Sequence, residues 1–262
     1  MPTRRQPPSP FSLPPSLPSS PDRLVAAALA LRDQVDAMRF SAPVAHVYDP
    51  LDYAWAGHEA YLRRFGGGRK RVVFLGMNPG PFGMMQTGVP FGEVAAVRDW
   101  MGIEAPIGRP AAEHPKRPID GFACARSEVS GRRLWGWAAE RFGAAERFFA
   151  ECFVLNYCPL VFLEASGRNH TPEQLPAAEA AALHAVCDEH LRAALAALDP
   201  EWAIGIGGFA ARRLVQVLGS APRPRIAQVL HPSPASPAAN RGWAQAVDRT
   251  LAELGVFPEP VS

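Results

Sequence analysis

The sequence predicts an α/β fold, a three-layer α/β/α sandwich around a central four-stranded, mainly parallel sheet, and three observations carry that prediction. Four short runs, Val72–Leu75, Cys152–Asn156, Trp202–Ile206 and Ile226–Leu230, are apolar almost throughout, the pattern of strands buried on both faces. Segments of helical periodicity separate them, and right-handed crossovers turn such alternation into a parallel sheet with helices on both sides. Three of the runs lead into a polar side chain, Asn78, Asn156 and His231. These sit at the carboxyl edge, where open α/β sheets keep their ligand crevices.

The elements follow in order. Residues 1–21 are dominated by proline and serine, cannot bury enough apolar surface to fold, and are expected to be a disordered tail before a single domain of residues 22–262. Asp22 to Met38 places Leu24, Val25, Ala28, Leu31, Val35 and Met38 at helical spacing, with Ser20 or Asp22 as its start. Trp55 to Phe65 reads as a second helix stopped at Gly66. The first strand then runs into a glycine- and proline-rich loop, Gly76 to Gly92, and a short helix from Glu93 to Met101. Between Gly102 and Glu128 lies a long connection rich in proline and charge, with Lys116 and Arg117 at its basic tip. Such length inside a compact domain marks a functional surface loop.

Ser130 is a candidate N-cap for a helix from Arg132 to Phe142. The second strand ends in Asn156, followed by Tyr157, Cys158 and Pro159. Thr171 and Pro172 open a long helical region to Leu198, and Gly208 to Leu218 is the crossover helix after the third strand. The fourth strand ends in His231 and a proline-studded turn, HPSPASP, before a last helix from about Ala238 to Leu254.

Composition narrows the function less than pattern does. A formal net charge of +2 over 262 residues is too small to identify a nucleic-acid binder by its overall field, although a local basic strip would be hidden in that sum. No run approaches the roughly 18 apolar residues of a membrane span, and no signal peptide is recognisable, so an intracellular protein without a membrane partner is expected. Cys124, Cys152, Cys158 and Cys187 show no CxxC pair, which argues against zinc, an iron-sulfur cluster or a disulfide framework. Four reduced thiols, no metal and no cofactor are expected, in a chain acting as a monomer.

The blocks GMNPGPFGMMQTGVPFGEV, HPKRPIDG, SEVSG, NYCPL, SGRNHTP and HPSPASPAANRGW occur in this order between Asp49 and Pro258. Together they resemble the single-strand-selective monofunctional uracil-DNA glycosylases, family three of the uracil-DNA glycosylase superfamily. That resemblance implies the α/β/α sandwich, DNA as partner, and hydrolysis of the bond between uracil and deoxyribose. It implies that Asn78 positions the attacking water, that His231 donates a hydrogen bond to uracil O2, and that Asn156 reads N3–H and O4. Phe91 corresponds to the ring on which the flipped base stacks. Met77, Gly80 and Met84 correspond to positions around the base, and the missing side chain at Gly80 is expected to leave room for 5-substituted uracils such as 5-hydroxymethyluracil. Ser233, Pro234 and Ala235 with Arg241, and Lys116 with Arg117, are the candidates for holding DNA. Ala235 departs from the large basic side chain that the family pattern carries there, which predicts weaker insertion into duplex DNA. No lysine occurs in the matching catalytic loops, so no Schiff base with the sugar is expected.

Other readings stay open at this level. GIGGFA, residues 205–210, fits a dinucleotide fingerprint of the form GxGxxA, but the acidic residue expected about 20 positions onward is absent. A damage-binding module without turnover and a glycosylase for deaminated purines are the remaining alternatives.

Overall fold

Residues 18–258 are described by a computed structural model. The Ser19 side chain accepts from the Asp22 amide and caps α1 (Ser20–Asp36). Ser20 and Pro21, assigned to the tail from composition, therefore form the first helical turn, where a proline loses no hydrogen bond. Residues 1–17 of the expected tail lie outside the described residues. There follow β1 (Val44–Tyr48), α2 (Pro50–Tyr53), α3 (Trp55–Phe65), β2 (Val72–Gly76), α4 (Met84–Thr87), α5 (Val129–Phe142), α6 (Ala145–Glu151) and β3 (Cys152–Asn156). Next come β4 (Val161–Glu164), β5 (Asn169–His170), α7 (Ala177–Leu198), β6 (Trp202–Ile206), α8 (Gly208–Leu218), β7 (Arg225–Val229), α9 (Pro237–Asn240) and α10 (Trp243–Glu253).

The predicted sheet is present: four parallel strands in the order β3-β2-β6-β7. Every residue of β2, β3 and β6 is buried, which is why those strands show continuous apolar runs rather than alternation. Phe74, Val154 and Ile204 share one register line and hence one face. Trp137 of α5 packs on Phe74, and Trp243 of α10 packs on Trp137. On the opposite face Tyr61 of α3 lies against Phe153, and the backbone of α8 at Ala211 comes so close to Gly205 that a Cβ there would sit 2.3 Å from the Ala211 nitrogen. Helix–strand packing thus accounts for the glycines read as a dinucleotide fingerprint. Gly207, at φ +88°, donates its N–H to Val229 and turns the chain into α8.

Several local expectations are corrected. A second sheet, antiparallel in the order β1-β4-β5, has no counterpart in the sequence reading; its strands are short, and β1 pairs with a segment far along the chain. The predicted helix from Glu93 contains a π-helical turn, Ala96–Trp100. Ser130 is not an N-cap: Glu128 holds that position, and Ser130 is buried inside α5. The last helix is broken at Gly242, whose φ is +133°, into α9 and α10. Thr171 and Gln174 form a capping box around a short 3-10 turn before α7. All four cysteines are free, three of them buried, and no helix of the described residues is long and apolar enough to cross a membrane.

Candidate active site

The carboxyl edge of the parallel sheet opens into a cavity of about 250 Å³. Gly76 and Asn156 end neighbouring strands in register, and two further bonds stitch the emerging loops together, Tyr157 N–H to Gly76 O at 3.0 Å and Cys158 N–H to Met77 O at 2.8 Å. Met77, Asn78, Gly80, Phe91, Asn156, His231 and Ser233 all line this cavity, so the three strand-end groups do meet.

Each of the three is held with a defined polarity. The Asn78 amide nitrogen donates to Leu160 O at 3.2 Å, which leaves the Asn78 carbonyl as the group offered to the cavity and makes it an acceptor. His231 Nδ1 accepts the Ser233 N–H at 3.1 Å, so the neutral ring must carry its proton on Nε2. Burial lowers the His231 pKa below its ordinary 6.5, because a charged ring in a poorly solvated site is disfavoured. At pH 7 His231 is therefore a neutral Nε2–H donor. The Asn156 amide nitrogen lies 3.3 Å from Met84 Sδ, while its buried Oδ1 has no partner. A buried carbonyl without a donor costs free energy unless a ligand supplies one.

Between these groups stands Phe91. Its φ of +53° lies in the left-handed region that bulky residues avoid, a strain of about 1–3 kcal/mol that persists only where surroundings over-determine it. They do so here. The Phe91 carbonyl accepts from Trp135 Nε1 at 2.9 Å and from Glu93 N–H at 2.7 Å, and Gly131 lets α5 approach so near that a Cβ there would fall 2.1 Å from that carbonyl. The slot itself depends on Gly76: a Cβ would lie 2.4 Å from the Phe91 ring and 2.5 Å from Asn156 Oδ1. Gly76 was not singled out from sequence, although a glycine closing an otherwise apolar strand signals close approach.

Gly80 is a correction of substance. Its missing side chain leaves no void, because a Cβ there would sit 2.1 and 2.2 Å from the two carboxyl oxygens of Glu128. Met84 lies behind Asn156 rather than on the cavity wall. Glu128, Ser130, Asn169 and Thr171 line the cavity unforeseen as site residues. Asn169 and Thr171 arrive with the second sheet, whose existence the sequence did not reveal.

The rim residues separate into two places. Pro234 and Ala235 form an exposed turn beside the buried Pro232, and Arg241 is exposed beyond α9. This turn is braced from beneath by Arg133, which donates to Pro232 O at 3.0 Å, Ser233 O at 3.2 Å and Asn240 Oδ1 at 2.8 Å. Lys116 is exposed in the long connection and does not line the cavity; Arg117 lies beside it, 5.8 Å from the Phe82 ring. Arg126 stacks on that same ring at 3.9 Å.

Comparison with known proteins places this geometry in context. A family profile described as "Uracil DNA glycosylase superfamily" matches residues 64–254. The chain is 48% identical over 231 residues to the single-strand selective monofunctional uracil DNA glycosylase of Bos taurus, covering 88% of this chain and 85% of that one. It is 47% identical to the Mus musculus protein of the same name, over 88% of this chain and 83% of the relative. The crystal structure of Pedobacter heparinus SMUG2 superposes with a TM-score of 0.66 at 18% identity, covering 91% of this chain and 98% of that one; at that identity the likeness speaks for the fold.

Proposed function

The chain belongs to the uracil DNA glycosylase superfamily and, within it, to the single-strand selective monofunctional uracil-DNA glycosylases, and from that premise we propose how its cavity works. The protein hydrolyses the N-glycosidic bond of uracil in DNA, inside the cell and as a monomer, and leaves an abasic site with an intact backbone. The observation that carries this reading is the polarity of three converging groups: an acceptor on Asn78, an acceptor on Asn156 and an Nε2–H donor on His231.

A uracil turned out of the helix stacks on Phe91, at a cost in unstacking of a few kcal/mol. Its N3–H donates to the unpartnered Asn156 Oδ1, and the second hydrogen of the Asn156 amide nitrogen meets O4. Cytosine presents an acceptor at N3 and a donor at N4, so it would leave both ends of the amide facing like groups, and a site built this way rejects it strongly. As the bond between C1′ and N1 breaks, its electron pair passes to the base and accumulates on O2. His231 Nε2–H stabilises that charge, a contribution on the order of 3 kcal/mol for one well-aimed donor in a dry site. The cationic sugar is captured by a water held through Asn78 Oδ1. An amide is a poor base, so Asn78 contributes by position; after attack the water's proton passes through solvent to the departed uracil anion, giving neutral uracil and the abasic sugar. No lysine lines the cavity among the described residues, in keeping with a monofunctional hydrolysis.

The test is a panel of oligonucleotides bearing uracil, 5-hydroxymethyluracil, thymine, hypoxanthine or xanthine, followed by alkali. Uracil and 5-hydroxymethyluracil are expected to be released, with strand breaks only after alkali. Binding without release, release of purines alone, or scission without alkali would contradict the reading.

A further inference from the structure

Glu128 has a buried carboxyl that the mechanism does not use. It occupies the N-cap position of α5, where a carboxylate ordinarily accepts from its own helix amides, yet it makes no side-chain cap bond. The side chain turns instead into the loop between Gly80 and Gly83, where it fills the notch above Gly80 and would also sit 2.6 Å from a Cβ on Gly83. It lines the cavity, and Oε2 is shut off from solvent without a hydrogen-bond partner.

The direction it faces follows from strand order. Along the sheet edge His231 follows β7 and Asn156 ends β3, the opposite end of the order β3-β2-β6-β7. A uracil with O2 at His231 and N3–H at Asn156 therefore turns O4 and then C5 away from β7. The amide nitrogen that would meet O4 points to Met84, the first residue of α4, and the N-cap before it, Gly83, is packed against Glu128. Glu128 thus lies on the O4 and C5 side. Resting on the reading of the site given above, we propose that Glu128 is the residue that selects the substituent at C5, accepting polar groups such as hydroxymethyl and rejecting the methyl of thymine.

The chemistry is that of a buried carboxyl that receives the Phe82 amide but has one oxygen, Oε2, without a hydrogen-bond partner. A hydroxymethyl group supplies the missing partner, whereas a methyl would bury that oxygen against carbon and leave it unpaired, an outcome such sites discriminate against. Burial, aided by the negative charge of Glu93 and partly opposed by the Phe82 amide, raises the Glu128 pKa from 4.5 to about 7. Near neutrality both protonation states are populated, so the carboxyl can accept from a hydroxyl or donate to it.

The experiment compares single-turnover release of 5-hydroxymethyluracil, uracil and thymine from otherwise identical single strands by the wild type, Glu128→Leu and Glu128→Gln. Ratios between bases are read, since they do not depend on how much of a variant is folded. Glu128→Leu is expected to lower the 5-hydroxymethyluracil to uracil ratio about tenfold or more and to raise the thymine to uracil ratio, while Glu128→Gln, which keeps shape and polarity, stays within about threefold of wild type. Unchanged ratios in Glu128→Leu would overturn the assignment, as would equal shifts in both variants. A wild type that releases no uracil would instead sink the reading of the site itself.

Discussion

At the scale of single residues, the cavity is assembled from groups whose polarity is fixed by a neighbour. Leu160 O orients Asn78, Ser233 N–H sets the His231 tautomer, and Met84 turns the Asn156 amide. The three converging side chains were legible because each follows an unbroken apolar run, and a polar residue at such a point needs a reason. Glu128 was not legible: it precedes a helix in a polar segment, and nothing local says that its side chain folds back over Gly80. Its raised pKa has a consequence for stability. Between about pH 4.5 and 7 the unfolded chain has released this proton while the folded chain still holds it, so folding stability falls as pH rises through that window and stays lower above it. The full loss is on the order of 3 kcal/mol. Glu128→Gln is therefore expected to melt at a higher temperature than wild type at pH 8, with the difference vanishing near pH 4; a gap independent of pH would refute this. Asp49, raised from 3.8 to about 7 by burial, adds a similar slope that the substitution leaves in place.

At the scale of elements, the sheet supplies rigidity and the loops supply chemistry, and each loop has its own brace. Tyr157 and Arg213 both bind Asp188 Oδ1, at 2.6 and 2.5 Å, tying the turn after Asn156 to α7 and α8. His58 Nδ1 donates to Gly88 O at 2.8 Å beneath the segment that carries Phe91. Arg133 holds the turn after His231 by two bonds and Asn240 of α9 by a third, and Trp243 Nε1 donates to Leu230 O at 2.6 Å. Removing Arg133 leaves two carbonyls of the turn after His231 unpaired, at about 1–3 kcal/mol. Arg133→Ala is expected to slow uracil release about tenfold and to lower the melting temperature by several degrees; a stable variant with an unchanged rate would deny the brace its role. Long, strongly patterned elements were readable in the sequence, β6 and α8 to the residue. The second sheet was not, because its strands are short, alternate in burial or carry polar residues, and are specified by pairing with distant segments rather than by local pattern.

At the scale of the whole molecule, a small net charge conceals local groupings of basic side chains. Arg117 and Arg126 flank Phe82, and Arg241 stands exposed beyond the turn that carries Ala235. The exposed tip of that turn is an alanine, too small to fill the gap left by an extruded nucleotide, so opening a paired base must draw its cost from elsewhere. Uracil in a single strand is therefore expected to be released faster than uracil opposite adenine, with uracil opposite guanine between, because a mismatch is already partly opened; faster release from U:A pairs would contradict this. The account as a whole rests on Asn78 and His231 acting on one base. Single-turnover release of uracil from a single-stranded oligonucleotide, measured for wild type, Asn78→Ala and His231→Ala, tests it most directly. Each variant should be slower by about 100-fold or more while melting within a few degrees of wild type, and a variant that kept the wild-type rate would contradict the account.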